Sequence, residues 1–261
     1  MATAFVIKST TNERIKYLKS LNQKKYREEN FQFIVENFKT IYDSRNLEIG
    51  LDELFVTEEF IEKNKEKFQE LINDLGIQEY FLINQAVNET FSSLDSPSGI
   101  CALYNIKDNQ IDFTDIVIYL NKINDPGNLG TILRSALAFD INNIVLDENC
   151  VDVYNPKTIN SAKDAIFKLN ISRDSNRQLF QKIKSKMKIY STRLEDSNGI
   201  EILKKQKKFC IVFGNEANGI DDDIYELSDG FIRINMTNNI ESINVAMSAS
   251  IIFHYIYNNL R

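Results

Sequence analysis

The chain has 261 residues, of which 43% are hydrophobic and 26% charged, with a formal net charge of −6. That composition excludes a disordered or fibrous chain, and the length holds one large domain or two small ones. No apolar run approaches the ~20 residues that span a bilayer, so no membrane association is expected, and the first residues carry no long apolar core of a signal peptide.

From the N-terminus, Thr11–Arg27 reads as a helix with Ile15, Leu18 and Leu21 on one face. Phe31–Glu36 reads as a strand, Phe38–Arg45 as a helix and Leu51–Thr57 as a second strand. Ile61–Leu75 is helical and ends at Gly76, a plausible residue just past a helix end. Glu79–Asn84 is a third strand, followed by a short helix to Leu94. This alternation implies a small α/β domain. Ser92–Gly99 (SSLDSPSG) gathers turn residues, which places a domain boundary there, with 1–98 on one side and 99–261 on the other.

A second alternating series follows. Ile116–Leu120 is a strand, Gly130–Phe139 a helix, Ile144–Leu146 a strand and Pro156–Phe167 a helix. Asn176–Met187 is a helix, while Ile189–Thr192, Phe209–Phe213 and Phe231–Ile234 are strands. Ser242–Leu260 is a long, largely apolar helix. Short apolar strands joined by helices imply a parallel sheet covered on both faces.

The three cysteines are far apart, which supports neither a disulfide framework nor a zinc ribbon and points to the cytoplasm. The single histidine, His254, excludes any mechanism that needs two. No metal site is expected. Charge is unevenly spread. Between Lys8 and Arg27 stand seven basic residues against one acidic, whereas residues 28–100 hold five basic against sixteen acidic. Arg14, Lys16, Lys19, Lys24, Lys25 and Arg27 are therefore candidates for a phosphate-contacting arm, the alternative being a solvated helix face.

Three polar clusters sit just beyond apolar strands: Asn124–Ala136 (NDPGNLGTILRSA), Gly214–Ile220 (GNEANGI) and Ile234–Ser250 (INMTNNIESINVAMSAS). Open α/β sheets bind ligands beyond the carboxyl ends of their strands. The clusters contain neither GxGxxG nor GxxxxGK[ST], which argues against a dinucleotide oxidoreductase and a P-loop ATPase.

Together these clusters resemble the signature motifs of the SpoU–TrmH family of RNA ribose 2′-O-methyltransferases. The first motif falls on Asn128, Gly130 and Arg134, and the second on Gly214, Asn215, Glu216 and Gly219. The third falls on Ile234-Asn235-Met236 and Glu241-Ser242-Ile243-Asn244-Val245. Asn12–Arg27 and Phe33–Glu36 resemble the family's N-terminal substrate-binding module.

The resemblance implies an α/β fold with a C-terminal parallel sheet tied in a deep trefoil knot, plus a smaller ribosomal-protein-like α/β domain that binds RNA. It implies S-adenosylmethionine as cofactor, held by Gly214, Ile234, Ile243, Thr192 and Met236. Arg134, Asn128, Glu216, Ser242 and Asn244 would form the catalytic set. Arg134 would orient the hydroxyl or a phosphate and stabilise developing charge, because a guanidinium stays protonated. The implied partners are RNA, ribosomal rather than transfer RNA given the two-domain layout, and a second copy of the chain. A transfer-RNA methyltransferase and a non-catalytic knotted assembly factor are the alternatives. Asn235 stands where the family carries Pro, and Asn160 and Asp164 where it tends to carry an Arg and a Gly.

Overall fold

The computed structural model describes residues 2–47, 50–107, 109–215, 218–237 and 239–260. The chain divides into two compact units, Met1–Lys107 with Tyr154–Phe167, and Asp108–Val153 with Lys168–Arg261.

The first unit carries β1 (Thr3–Ile7), α1 (Glu13–Ser20), α2 (Lys24–Asn30), β2 (Gln32–Val35), α3 (Phe38–Asp43) and β3 (Leu51–Thr57). It continues with α4 (Glu58–Lys63), α5 (Lys65–Asp74), β4 (Glu79–Ile83), α6 (Gln85–Phe91) and β5 (Ile100–Asn105). Its sheet runs β1-β4-β3-β5-β2. The β1–β4 and β3–β4 pairs are parallel, and β5 pairs antiparallel with both β3 and β2. One face of the sheet buries Ile34, Phe55, Ile83, Cys101 and Leu103 with Ile15, Leu18 and Leu21 from the α1 region and Val87 and Phe91 of α6.

The helix expected over Thr11–Arg27 is two helices. Asn12 caps α1 through its side-chain oxygen. The chain turns at Leu21–Gln23, and the Arg27 guanidinium donates to the Leu21 carbonyl at 2.6 Å. A helix end leaves carbonyls without partners, and this contact draws Arg27 down to 3% exposure. Arg27 is thus a buried capping residue and not part of a phosphate-contacting surface. The helix expected over Ile61–Leu75 is also two: α4, which starts at Glu58 under the cap of the Thr57 hydroxyl and ends at Lys63, and α5, which starts at Lys65.

The boundary expected between residues 98 and 99 moves. Ser92–Gly99 is folded onto Glu36, a 7% exposed residue at the end of β2. The Glu36 carboxylate accepts from Ser92 Oγ and from both N–H and Oγ of Ser93, the last two at 2.9 Å. Strand β5 follows and fills the gap between β3 and β2, so a cut before residue 100 would split the first sheet. The segment Tyr154–Phe167, expected in the C-terminal domain, belongs to the first unit as well. It contains α8 (Pro156–Ala162), and Tyr154 and Phe167 lie against Phe33 with ring centroids 4.4 and 6.1 Å away. The aromatic pair Phe33 and Tyr104 faces away from the α1/α6 side and needs this cover.

Helix α9 (Ala165–Lys168) lies in the first unit but for its last residue, and the second unit carries β6 (Val117–Leu120), α7 (Pro126–Ala138), β7 (Asn143–Leu146), β8 (Asn170–Arg173), α10 (Gln178–Lys186) and β9 (Lys188–Thr192). The short β10 (Asn198–Gly199), β11 (Phe209–Phe213), α11 (Asp222–Leu227), β12 (Gly230–Arg233) and α12 (Val245–Leu260) complete it. The seven strands run β10-β12-β9-β11-β6-β7-β8 and every pair is parallel. β6, β7 and β11 are buried throughout, as a parallel sheet covered on both faces requires. On one face Val117, Tyr119, Val145, Ile189, Cys210 and Val212 pack with Phe180 and Ile183 of α10 and Ile224 of α11. α7 and α12 pack on one another, joined by a 2.7 Å bond between Ser135 Oγ and Ser250 Oγ. Phe253 of α12 meets Phe213 of β11 edge to face at 5.8 Å. The late strand β11 sits at the centre, between β9 and β6. Its following loop therefore meets the loops that leave both neighbours.

Candidate functional site

A cavity of about 710 Å³ opens beyond the carboxyl ends of β9, β11 and β12. Three segments form most of its walls: Thr192–Glu195 after β9, Phe213–Asn215 with Gly219 and Ile220 after β11, and Ile232–Ile234 with Met236 and Glu241–Val245 between β12 and α12; Tyr225 of α11 and Ser248 and Ile252 of α12 complete them. Ile220, Ile232, Ile243, Val245 and Ile252 give it an apolar side, and Thr192, Asn215, Ser242, Asn244 and Ser248 a polar one. Its size lies within the ~300–1,000 Å³ of small-molecule sites.

All five residues expected to hold a cofactor, Gly214, Ile234, Ile243, Thr192 and Met236, line this cavity. Thr192 Oγ1 donates to the Val212 carbonyl at 3.0 Å, which keeps the ends of β9 and β11 together. Gly214 is required by close approach. A Cβ there would sit 2.4 Å from the carbonyl carbon and oxygen of Gly219 and 2.6 Å from Ile220 Cγ1. The tightness comes from a closed turn in which Asn215 and Gly219 exchange two backbone hydrogen bonds of 2.9 Å.

Of the expected catalytic set, Ser242 and Asn244 line the cavity. Asn244 also caps α12, its Oδ1 accepting from Ala246 N at 2.9 Å. Its Nδ2 donates to Asn128 Oδ1 at 3.0 Å, so the first and third motifs meet. Asn128 is set at the start of α7 by Asp125, whose carboxylate accepts from Asn128 N at 2.7 Å. Arg134 stands six residues further along α7, roughly 9 Å up the helix axis. It is exposed and forms no part of the cavity wall. Glu216 lies outside the described residues.

A polar network beneath the site was not expected from the sequence. Asp221 follows the wall residue Ile220 and accepts from Lys122 Nζ, from Asn121 Nδ2 at 3.1 Å and from Arg177 Nη2 at 2.6 Å. Its own N–H donates to Asn121 Oδ1 at 2.9 Å, and Asn215 Nδ2 donates to the Lys122 carbonyl at 3.0 Å. Asn121 Nδ2 also reaches Asp147 at 2.7 Å, and Arg177 Nη1 donates to Tyr119 Oη at 3.1 Å. Burial pushes the Asp221 carboxyl up, but its bonds from Lys122, Asn121 and Arg177 outweigh that and hold it below the usual range. The Asp221 bond in turn raises Lys122. Asn121, directly after a buried strand and ahead of the first motif, was the one cue the sequence offered.

In the basic segment, Lys16, Lys19, Lys24 and Lys25 are exposed. Lys24 and Lys25 face Glu28 and Glu29 at 3.5 and 3.8 Å, and Arg14 pairs with Glu53 while lying 4.5 Å over the Phe81 ring. Among the described residues, no group of three or more His, Cys, Asp or Glu side chains is arranged to hold a metal ion, and no helix is long and apolar enough to cross a membrane.

Comparison with known proteins agrees with this geometry. The MRM3-like substrate binding domain matches residues 12–102. The 23S rRNA (guanosine(2553)-2′-O)-methyltransferase RlmP of Bacillus subtilis is 26% identical over 96% of this chain and 98% of its own length. The AdoMet-bound rRNA methyltransferase of Sinorhizobium meliloti superposes with a TM-score of 0.84 at 22% identity, covering 99% of both chains. The SpoU methyltransferase AviRb of Streptomyces viridochromogenes, in complex with AdoMet, gives 0.82 at 17% identity, covering 95% of this chain and 97% of its own. The SpoU rRNA Methylase family matches residues 115–254, which is more than half of the sequence, and the chain belongs to that family.

Proposed function

We propose that the protein is an S-adenosylmethionine-dependent RNA methyltransferase that modifies a ribose 2′-hydroxyl, in 23S ribosomal RNA. The observation that carries this reading is the convergence of the three polar segments. Gly214, Ser242 and Asn244 line one cavity, and Asn244 is bonded to Asn128. The apolar side of the cavity suits an adenine ring, and its polar side suits a ribose and an amino-acid end. Gly214, Thr192, Ile234, Met236 and Ile243 would hold the cofactor. When bound, it supplies an electrophilic methyl group on a sulfonium sulfur.

The chain's residues supply orientation and charge. Ser242 and the Asn128–Asn244 pair would seat the ribose so that its 2′-oxygen faces the methyl carbon. That placement would direct the 2′-oxygen at the methyl carbon, with the sulfur as the leaving group and the hydroxyl proton released to solvent. Arg134 would steady the charge that develops on the oxygen. Much of the rate enhancement then comes from proximity.

Arg134 lies on α7, beside α12, and α12 exposes Met247 and Ile251, one turn apart in a short stripe, at 61% and 42%. That apolar stripe supports a homodimer, in which Arg134 would serve the partner's cavity. Light scattering on Ile251→Asp tests it, with a monomer expected. A deep trefoil knot in the C-terminal unit belongs to the same reading, supported by the central placement of β11 and by the bonds from its loop to residues 121 and 122. Exposed Lys16, Lys19, Lys24 and Lys25 would contact RNA phosphates, and three buried free cysteines accord with a cytoplasmic location.

Mapping of 2′-O-methyl marks in cellular RNA with and without the protein tests the function. One ribosomal mark should vanish on deletion and return with the intact gene. Loss of a transfer-RNA mark instead would transfer the reading to that substrate, and no change at any site would leave a non-catalytic RNA-binding factor.

A further inference from the structure

We propose that Asp221, with Lys122, Asn121 and Arg177, is a positioning brace that holds the wall of the methyl-donor cavity at its working distance. The inference rests on the proposed cofactor reading and goes beyond it, because none of these four side chains lines the cavity.

The turn that begins at Gly214 is fastened to residues 121 and 122 at both ends. At its start, Asn215 Nδ2 donates to the Lys122 carbonyl at 3.0 Å. At its finish, Asp221 makes a reciprocal pair with Asn121, its N–H donating to Oδ1 at 2.9 Å and its carboxylate accepting from Nδ2 at 3.1 Å. Lys122 Nζ and Arg177 Nη2 add two cations to the same carboxylate. Residues 121 and 122 are themselves anchored by Asp147, which is 2% exposed. Its Oδ2 accepts from Asn121 Nδ2 at 2.7 Å and its Oδ1 from Lys122 N at 3.1 Å. Lys122 adopts φ +56 to make these contacts, a region that L side chains rarely occupy.

Capping or solubility would not call for two cations and an amide on one carboxylate at 23% exposure. Charge-assisted bonds of this kind are shorter and stronger than neutral ones and fix geometry as well. The brace also sets two parts of the site against each other. α7, which carries Asn128, starts four residues after Lys122, and Ile220 precedes Asp221 directly. One cluster thus sets the spacing between the cofactor wall and the ribose-facing Asn128–Asn244 pair.

The test uses the full chain and S-adenosylmethionine. Asp221→Asn keeps the volume and removes the charge. Binding by calorimetry is expected to weaken about tenfold, the loss of roughly one charge-assisted bond. KM for the cofactor should rise with it, while KM for RNA stays. Amide exchange at Gly219 and Ile220 should speed up, and Lys122→Arg should bind as the parent does. A folded Asp221→Asn with parental affinity and parental exchange overturns the brace. If that variant fails to fold, Lys122→Met decides by the same readouts, since its side chain is 38% exposed and leaves no void. A folded parent that binds no cofactor overturns the proposed function itself and the brace's role with it, and that result is read before any variant is made.

Discussion

Gly214→Ala isolates the close approach that shapes the cavity. The added Cβ would stand 2.4 Å from two backbone atoms of Gly219, whereas ordinary contact begins near 3.4 Å. Both contacts are with backbone, so no side chain can swing aside, and the turn must open by roughly 1 Å. Overpacking of this kind costs about 1–3 kcal/mol. For a unit of this size that lowers the unfolding temperature by roughly 2–12 °C. The effect on methyl transfer should be larger, because a 1 Å misplacement of reacting groups costs on the order of 10²-fold in rate. Turnover with labelled cofactor and a thermal melt measure these two effects, and calorimetric titration of S-adenosylmethionine reads the affinity. A variant that binds within a factor of about three of the parent, with an unchanged melt, would refute the claim that this approach sets the wall.

Arg134→Ala should abolish methyl transfer and leave cofactor affinity unchanged, because the side chain is exposed and away from the cavity; turnover with labelled cofactor reads the first and calorimetry the second. Reversal of Lys16, Lys19 and Lys24 to Glu should raise the RNA dissociation constant and flatten its salt dependence, with cofactor binding untouched. An unchanged RNA affinity in a filter-binding assay would return these residues to a solvated face. Asp221 titrates lower folded than unfolded, so its contribution is present above the ordinary value of 3.8 and fades as pH falls through the folded one. Melts of Asp221→Asn should therefore fall short of the parent near pH 6 and converge with it under acid.

Much of the site was legible in one dimension because its residues lie in three short runs, each just beyond an apolar strand. The end of a strand is visible in composition, and a parallel sheet brings such ends to one side. The strands Leu51–Thr57 and Phe209–Phe213 have the expected bounds; the second is a continuous apolar run buried throughout, and the first is buried over Leu54–Thr57. β1 and β5 escaped notice. β1 is an exposed edge, and β5 follows a stretch of Ser, Asp and Pro that reads as a linker.

Sequence alone indicated two α/β units, a parallel second sheet, and the three polar loops from which most of the cavity wall is drawn. Only the tertiary structure decided the partners of its charges. Arg27 reads as one more cation in a basic run until a helix end 2.6 Å away claims it. Asp221 reads as one of three consecutive aspartates until residues a hundred positions earlier gather around it. A charge's role depends on which opposite charge or open carbonyl the fold brings near, and that distance is set by topology rather than by neighbours along the chain.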